Sequence, residues 1–459
     1  MATELDLDLS ENERDEFFKD GSDASETADS ISDALSMVDS SPESPLDESE
    51  GAEAAEPEPA KDISSLKQRI EDTVLMLTNF NSKSSKRSHS EHIHLLCQDL
   101  SLLYGYSEDL ARYFLDMFTP AETVQFMEAN ERQRPLTLRA NTLKVKRRVL
   151  AQQLIARGAS VEPVGDWTKV GLTVTESPVP IGATPEYLSG KYMIQSASSL
   201  LPVIALGPKP GETVLDMAAA PGGKTTHIAQ LMENQGTLFA NDFKADRVKS
   251  LVANLHRLGV TNSVVSNLDG RELPKLLPKV HRVLLDAPCS GSGIISRDPS
   301  VKVKRGKEDF LECAKLQREL GLAAIDLLED GGTLVYSTCS VSVEENEAVV
   351  DYLLKRRHVK VVSIEDVIPF ASAGLTAFKG DHFHPSVKLA RRVYPHVHNL
   401  DGFFVCRLEK IAKGGKLRIK KDRRDDSEVT NVVWGDAELK NPSLREEVLQ
   451  FGEVKKARK

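Results

Sequence analysis

The chain has 459 residues, 40% of them hydrophobic, and a formal net charge of −10. That length admits two or three domains, each with a sizeable core. No run of about 18 or more apolar residues occurs, so no membrane span is expected. The acidic N-terminus from Glu4 onward is unlike a secretory or organellar leader. Cys97, Cys289, Cys313, Cys339 and Cys406 are scattered and odd in number, which favours reduced thiols over a disulfide framework.

The charge is polarised along the chain. Residues 1–60 carry 20 Asp/Glu against 2 Lys/Arg, which leaves 49 acids and 57 bases in the other 399 residues. A Ser- and Pro-rich acidic head with few aromatics cannot bury enough surface to offset ordering, so 1–62 is expected to be a disordered tail. From 63 to 130 apolar residues recur at helical spacing, as in "ISSLKQRIEDTVLMLTNF" and "EHIHLLCQDLSLLYGYS", with "SKSSKR" as the loop between. The stretch 131–190 changes character. A β-rich run, "RPLTLRA", precedes an amphipathic helix rich in Lys and Arg, and "VEPV" and "GLTVTES" follow as strands, giving a small α+β module with a basic edge.

From 191 to 410 the pattern is strand, turn, helix, repeated. "TVLDMAA", "TLFANDF", "NSVVSNL", "RVLLDAP" and "GTLVYST" each lead into a helical stretch, and "DGFFVCRL" closes the series. Such alternation predicts a parallel sheet covered on both faces by helices. The segment 411–459 is a basic and polar tail, with seven bases between Lys413 and Arg424. The pairs His92/His94, His382/His384 and His396/His398 are joined by no further ligand spacing, and no metal site is expected.

After the first of these strands, "AAAPGGKTT" resembles the end of a phosphate-binding loop. A P-loop requires glycine six residues before its lysine, and that position is Ala218. Asp216, Asp242, Asp269 and Asp286 follow four successive strands, at the carboxyl ends where such sheets bind ligands. One carboxylate about 4 Å from a phosphate charge costs roughly 4 kcal/mol at an effective dielectric near 20. The set suits a ligand with a positive centre and a ribose diol, namely S-adenosyl-L-methionine. Asp242 would take the ribose and Asp269 the adenine amine. Lys224 would reach the donor's carboxylate or balance local charge. Taken singly, each aspartate is as well explained by a turn or a helix cap.

Cys289, in "LLDAPCSGSG", and Cys339, in "YSTCS", follow the fourth and fifth strands and face the same crevice. A lone cysteine is usually a small core hydrophobe. Ser342-Val343-Glu344-Glu345 reads as a capping box, and the positive end of the helix it starts would lower the Cys339 thiol from about 8.5. A thiolate beside a methyl donor suits attack on an unreactive ring carbon. Addition at cytosine C6 turns C5 into an enamine carbon that can accept a methyl group.

These stretches, with "RPLTLRANTLK", "LDMAAAPGGKT", "VYSTCSVSVEENE" and "RRVYPHVHNLDGFF", resemble the Sun-type RNA cytosine-C5 methyltransferases, and most closely the nucleolar proliferation-antigen branch that acts on large-subunit ribosomal RNA. The resemblance runs from about 63 to 410. It implies an α/β fold whose methyltransferase domain carries a Rossmann-like seven-stranded sheet, preceded by the helical region and a small RNA-binding module. It also implies that Cys339 is the nucleophile, that Cys289 assists product release and that Asp286 contacts the cytosine edge. The donor would be held by Ala218, Ala219, Ala220, Pro221, Gly222, Gly223 and Lys224 with Asp242, Asp269 and Asp286. The family commonly has cysteine at the place of Ala218 or Ala219.

In that light Arg139, Lys144, Lys146, Arg147 and Arg148 are phosphate candidates, although a solvated helix face explains any one of them. Residues 413–424 read as an RNA-binding extension or a nucleolar targeting signal. The implied partners are ribosomal RNA and pre-ribosomal particles, with a nucleolar location in the nucleus, no membrane contact and a monomer outside the particle. A rival reading makes the protein chiefly a ribosome-assembly scaffold with secondary methyl transfer.

Overall fold

A computed structural model describes residues 63–79 and 87–411, all within one compact unit, Ala60–Lys459. The acidic head at 1–62, most of the "SKSSKR" loop and the basic segment 413–424 lie outside the described residues.

The chain begins with four helices, α1 (Ile63–Thr78), α2 (His89–Tyr104), α3 (Glu108–Met117) and α4 (Pro120–Asn130). Ser88, Ser107 and Thr119 supply the hydroxyls that start the last three, each accepting a backbone N–H three residues on. Glu91 and Glu122 complete reciprocal capping boxes. The apolar faces bury Leu96, Leu100, Leu110, Phe114 and Phe126 together with Ile295, Val301, Phe310 and Val341 from the later part of the chain. The helical region therefore rests against the loops that carry the two cysteines.

Four strands, β1 (Leu136–Ala140), β2 (Ser160–Pro163), β3 (Gly171–Glu176) and β4 (Tyr192–Ile194), form an antiparallel sheet in the order β2-β3-β1-β4. Helix α5 (Arg147–Ala156) packs Leu150 and Leu154 against Leu138, Ala140 and Leu172 of this sheet. Of the expected phosphate contacts, Arg139 is instead structural. Arg139 is fully buried on β1. Its guanidinium donates to Gln195 Oε1 (2.7 Å), Thr226 Oγ1 (2.7 Å) and the Gly223 carbonyl. Lys144 Nζ donates to the carbonyls of Ser189 (2.8 Å) and Arg257 (2.7 Å), and Arg147 to that of Thr168 (2.8 Å). Arg139 joins the small sheet to the helix that follows β5. Lys146 and Arg148 remain on the surface.

The larger sheet contains β5 (Thr213–Asp216), β6 (Thr237–Asn241), β7 (Ser263–Ser266), β8 (Val280–Asp286), β9 (Leu328–Thr338), β10 (Val359–Val362), β11 (Ser372–Ala373), β14 (Arg391–Val393) and β15 (Phe403–Lys410); β12 (Ala377–Phe378) and β13 (Asp381–His382) form a separate hairpin. Its order is β11-β14-β15-β9-β8-β5-β6-β7, with β5 to β9 parallel and β15 antiparallel to β9. It has nine strands where seven were expected. The length of β15 is the reason: Phe403–Val405 pairs with β14, and Arg407–Lys410 pairs with β10 along the same edge. The chain winds outward from β5 to β7, then returns to β8 on the other side. The carboxyl ends of β5 and β8 therefore flank a topological switch point.

Candidate active site

The turn after β5 is shaped by glycine and tied down by acids. Gly222 has φ of 99° and caps the helix Gly223–Leu231; a Cβ there would lie 3.1 Å from Leu251 Cδ1. A left-handed residue with so little room selects glycine. Asp242 Oδ2 accepts from the Ala220 N–H (3.0 Å) and Oδ1 from the Lys244 N–H (3.1 Å), while the Ala219 N–H donates to the Asn241 carbonyl (2.7 Å). Residues 218–223 thus lie against the end of β6. Pro221 contributes its carbonyl to Asn254 Nδ2 (2.9 Å).

Asp216 ends β5 completely buried. Its Oδ2 accepts from the Thr225 hydroxyl (2.7 Å), whereas its Oδ1 has no hydrogen-bond partner among the described residues. Burial, reinforced by the charges of Asp286 and Asp242, pushes this carboxyl up to about 7 against the opposing Thr225 bond and Lys224 charge. Lys224 Nζ lies 2.7 Å from Asp286 Oδ2, and the Ser337 hydroxyl donates to Asp286 Oδ1 (2.7 Å). Burial works against the Lys224 charge, but Asp286 beside it, with Cys339 and Asp216, holds the ammonium above its ordinary value. The lysine is therefore paired within the protein.

Cys289 and Cys339 face each other, with Sγ atoms 3.1 Å apart as free thiols. The Cys339 carbonyl accepts from the Gly293 N–H (2.9 Å), and the Gly402 N–H donates back to the Gly293 carbonyl (2.7 Å). A Cβ on Gly293 would come within 2.3 Å of the Gly402 carbonyl oxygen. The hydrogen bond to Cys339, burial and the neighbouring charges of Cys339 and Glu345 raise the Cys289 thiol well above its ordinary range.

The helix expected directly after Cys339 starts later, at Glu347 with Asn346 as its cap. Ser342 and Glu345 do bond to each other, with the Ser342 hydroxyl donating to Glu345 Oε2 (2.7 Å), but in an irregular segment. The reason is that Glu345 turns inward to a cluster of serines instead of back to a helix start. A helix dipole acts within its first turn, whereas the Lys224 ammonium does interact with Cys339. Asp269 is bonded within its own turn. Its carboxylate is held by the Arg271 N–H (2.9 Å) and by the Arg271 guanidinium (2.6 Å), which with burial opposing lowers it. That is the turn-forming alternative. Asp269 is joined to the site through the backbone, since Asn241 bonds both the N–H and the carbonyl of Leu268.

The structure thus brings together Asp216, Lys224, Asp286, Cys289 and Cys339, with Asp242 beneath the turn. Reading the sequence missed Ser337 and the serine cluster around Glu345. A signal was present: Cys289-Ser290-Gly291-Ser292 and Cys339-Ser340-Val341-Ser342 share the spacing C-S-x-S. It also missed Phe243, 70% exposed directly after Asp242.

The chain is similar to several known proteins. The family described as "16S rRNA methyltransferase RsmB/F" matches residues 203–409, and "Methyltr_RsmF/B-like, ferredoxin-like domain" matches 115–181. The "28S rRNA (cytosine(4447)-C(5))-methyltransferase" of Homo sapiens is 52% identical over 358 residues, 77% of this chain and 44% of the human protein. The "25S rRNA (cytosine-C(5))-methyltransferase nop2" of Schizosaccharomyces pombe is 49% identical over 395 residues, 82% of this chain and 65% of that protein. The chain spans about half the length of such curated relatives, from 44% to 65% of those it matches first. A crystal structure of a methyltransferase homologue from Pyrococcus horikoshii superposes with TM-score 0.63 at 38% identity, covering 69% of this chain and 99% of that one. The chain belongs to the RsmB/F-type, or Sun-type, family of S-adenosylmethionine-dependent RNA cytosine-C5 methyltransferases.

Proposed function

We propose that this protein methylates C5 of cytosine in large-subunit ribosomal RNA, with S-adenosyl-L-methionine as donor, in the nucleolus during ribosome assembly. The observation that carries the chemistry is the pair of thiols 3.1 Å apart at the ends of β8 and β9, next to the Lys224–Asp286 ion pair. The names of the human and fission-yeast relatives support the choice of RNA.

The site fits the donor. A cationic ligand suits a crevice with Asp216, Asp242 and Asp286 at its strand ends, one of which has a buried oxygen without a partner. Asp242 and the turn 218–224 would hold it, with Asp269 and Phe243 beside them. Bound there, S-adenosylmethionine supplies an electrophilic methyl group. Cys339 adds its sulfur to C6; the electron pair of the C5–C6 double bond becomes available at C5, and Asp286 holds the polar edge of the base. After methylation a base takes the C5 proton, the C5–H electron pair restores the double bond, and the C6–S pair departs with the Cys339 sulfur. Cys289, kept as a thiol, donates a hydrogen bond to the departing sulfur. Mapping 5-methylcytosine in ribosomal RNA with and without the protein tests the proposal, and an unchanged map would overturn it.

A further inference from the structure

We propose that Glu345 is a positioning residue for the two thiols: its carboxylate ties the loop carrying Cys289 to the loop carrying Cys339 and so fixes which sulfur faces the base. The inference rests on the reading that Cys339 attacks C6.

Glu345 is fully buried, and no cation is paired with it among the described residues. Donors from three segments satisfy it instead. Oε1 accepts from the Ser290 N–H (2.8 Å) and Gln317 Nε2 (3.1 Å); Oε2 accepts from the hydroxyls of Ser290 (2.6 Å), Ser340 (2.5 Å) and Ser342 (2.7 Å). Ser290 and Ser340 are the residues immediately after the two cysteines. A further bond joins the loops directly, Ser292 Oγ to Ser340 Oγ at 2.9 Å. The clamp is itself anchored, since Gln317 Nε2 also donates to the Pro288 carbonyl (2.9 Å) and the Tyr336 hydroxyl donates to the Glu345 carbonyl (2.5 Å).

Desolvating a carboxylate is costly, and an amide could have bridged the same serines. The charge has a direction that an amide would lack. It adds to the rise of the Cys289 thiol, while the Lys224 ammonium interacts with Cys339. The two charges thus act on different sulfurs of the pair, the anion on Cys289 and the cation on Cys339. This is the division of labour that the covalent mechanism requires, and it uses no helix dipole.

The test compares the wild-type full chain with Glu345→Gln on 5-azacytidine-substituted RNA, with trapped adducts assigned by peptide mapping. Glutamine keeps the reach of the side chain and removes the charge, and the serine hydroxyls can turn to accept from its amide. The expected result is that Cys289 becomes a competing nucleophile. Its share of adduct should rise at least tenfold, and kcat on unmodified RNA should fall at least tenfold at unchanged KM for RNA. An adduct on Cys339 alone, with kcat within twofold of wild type, would overturn the proposal. Should Glu345→Gln fail to fold, Ser340→Ala removes one arm of the clamp with the charge in place. It should lower kcat at unchanged KM, and an unaltered kcat would count against the clamp. Wild-type protein that traps no adduct would remove the covalent reading itself, a result distinct from either mutant outcome.

Discussion

Asp216 and Asp242 follow consecutive strands, β5 and β6, yet their surroundings differ. Asp242 accepts two backbone N–H groups, whereas Asp216 is buried with one oxygen unpaired and is pushed up to about 7. A carboxyl raised on folding stabilises the fold fully below its unfolded value, near 3.8, and that contribution is lost as pH rises through 7. Between pH 5 and pH 8 the loss should be on the order of 2 kcal/mol. Asp216→Asn should therefore flatten the pH dependence of unfolding in denaturant melts of the ligand-free protein; identical slopes for the two proteins would refute this. For Asp242, alanine would also release the turn, so asparagine is the better probe. Loss of the charge should weaken S-adenosylmethionine binding about tenfold or more, because a charge-assisted hydrogen bond contributes roughly 1.5–3 kcal/mol. Calorimetry that returns the wild-type affinity would remove Asp242 from the donor site.

At the scale of elements, the site is assembled by loops that meet through the backbone. Gly293 lies where the loop after β8 touches both Cys339 and Gly402, and a methyl group there has backbone on two sides. Gly293→Ala should displace the Cys339 loop and abolish adduct formation while far-ultraviolet circular dichroism stays unchanged; an active variant would mean that the loops tolerate separation. Arg139 joins the small sheet to the glycine turn. Arg139→Met should cost about 1–3 kcal/mol, since it leaves the buried Gln195 oxygen without its donor. A surface phosphate contact would show no such loss in chemical denaturation and only weaker RNA binding. The same elements show what was legible in the sequence. Strand-turn-helix alternation gave the parallel sheet, and local grammar gave the turn and its strand-end acids. Long-range partners were not legible. Arg139 meets residues 84 and 87 positions away, and nothing near it in the chain distinguishes a buried arginine from a phosphate ligand. Glu345 matched a helix start at the right spacing, but its partners at Ser290 and Gln317 lie on other segments.

For the whole molecule, charge is divided between an acidic head and a basic remainder. The head and RNA are both polyanionic, so the head's charge opposes RNA binding. Removing residues 1–60 should then tighten RNA binding at low salt, and the gain should shrink as salt screens the charges. Equal affinities across a salt series would leave the head without this role. The central claim is that the two sulfurs have separate tasks. Its most direct measurement is a denaturing gel of Cys289→Ala and Cys339→Ala after incubation with target RNA and S-adenosylmethionine. Cys289→Ala should accumulate a protein–RNA complex that survives denaturation, while Cys339→Ala should give neither complex nor methylated RNA. The opposite pattern, with RNA trapped by Cys339→Ala and Cys289→Ala inert, would contradict the account.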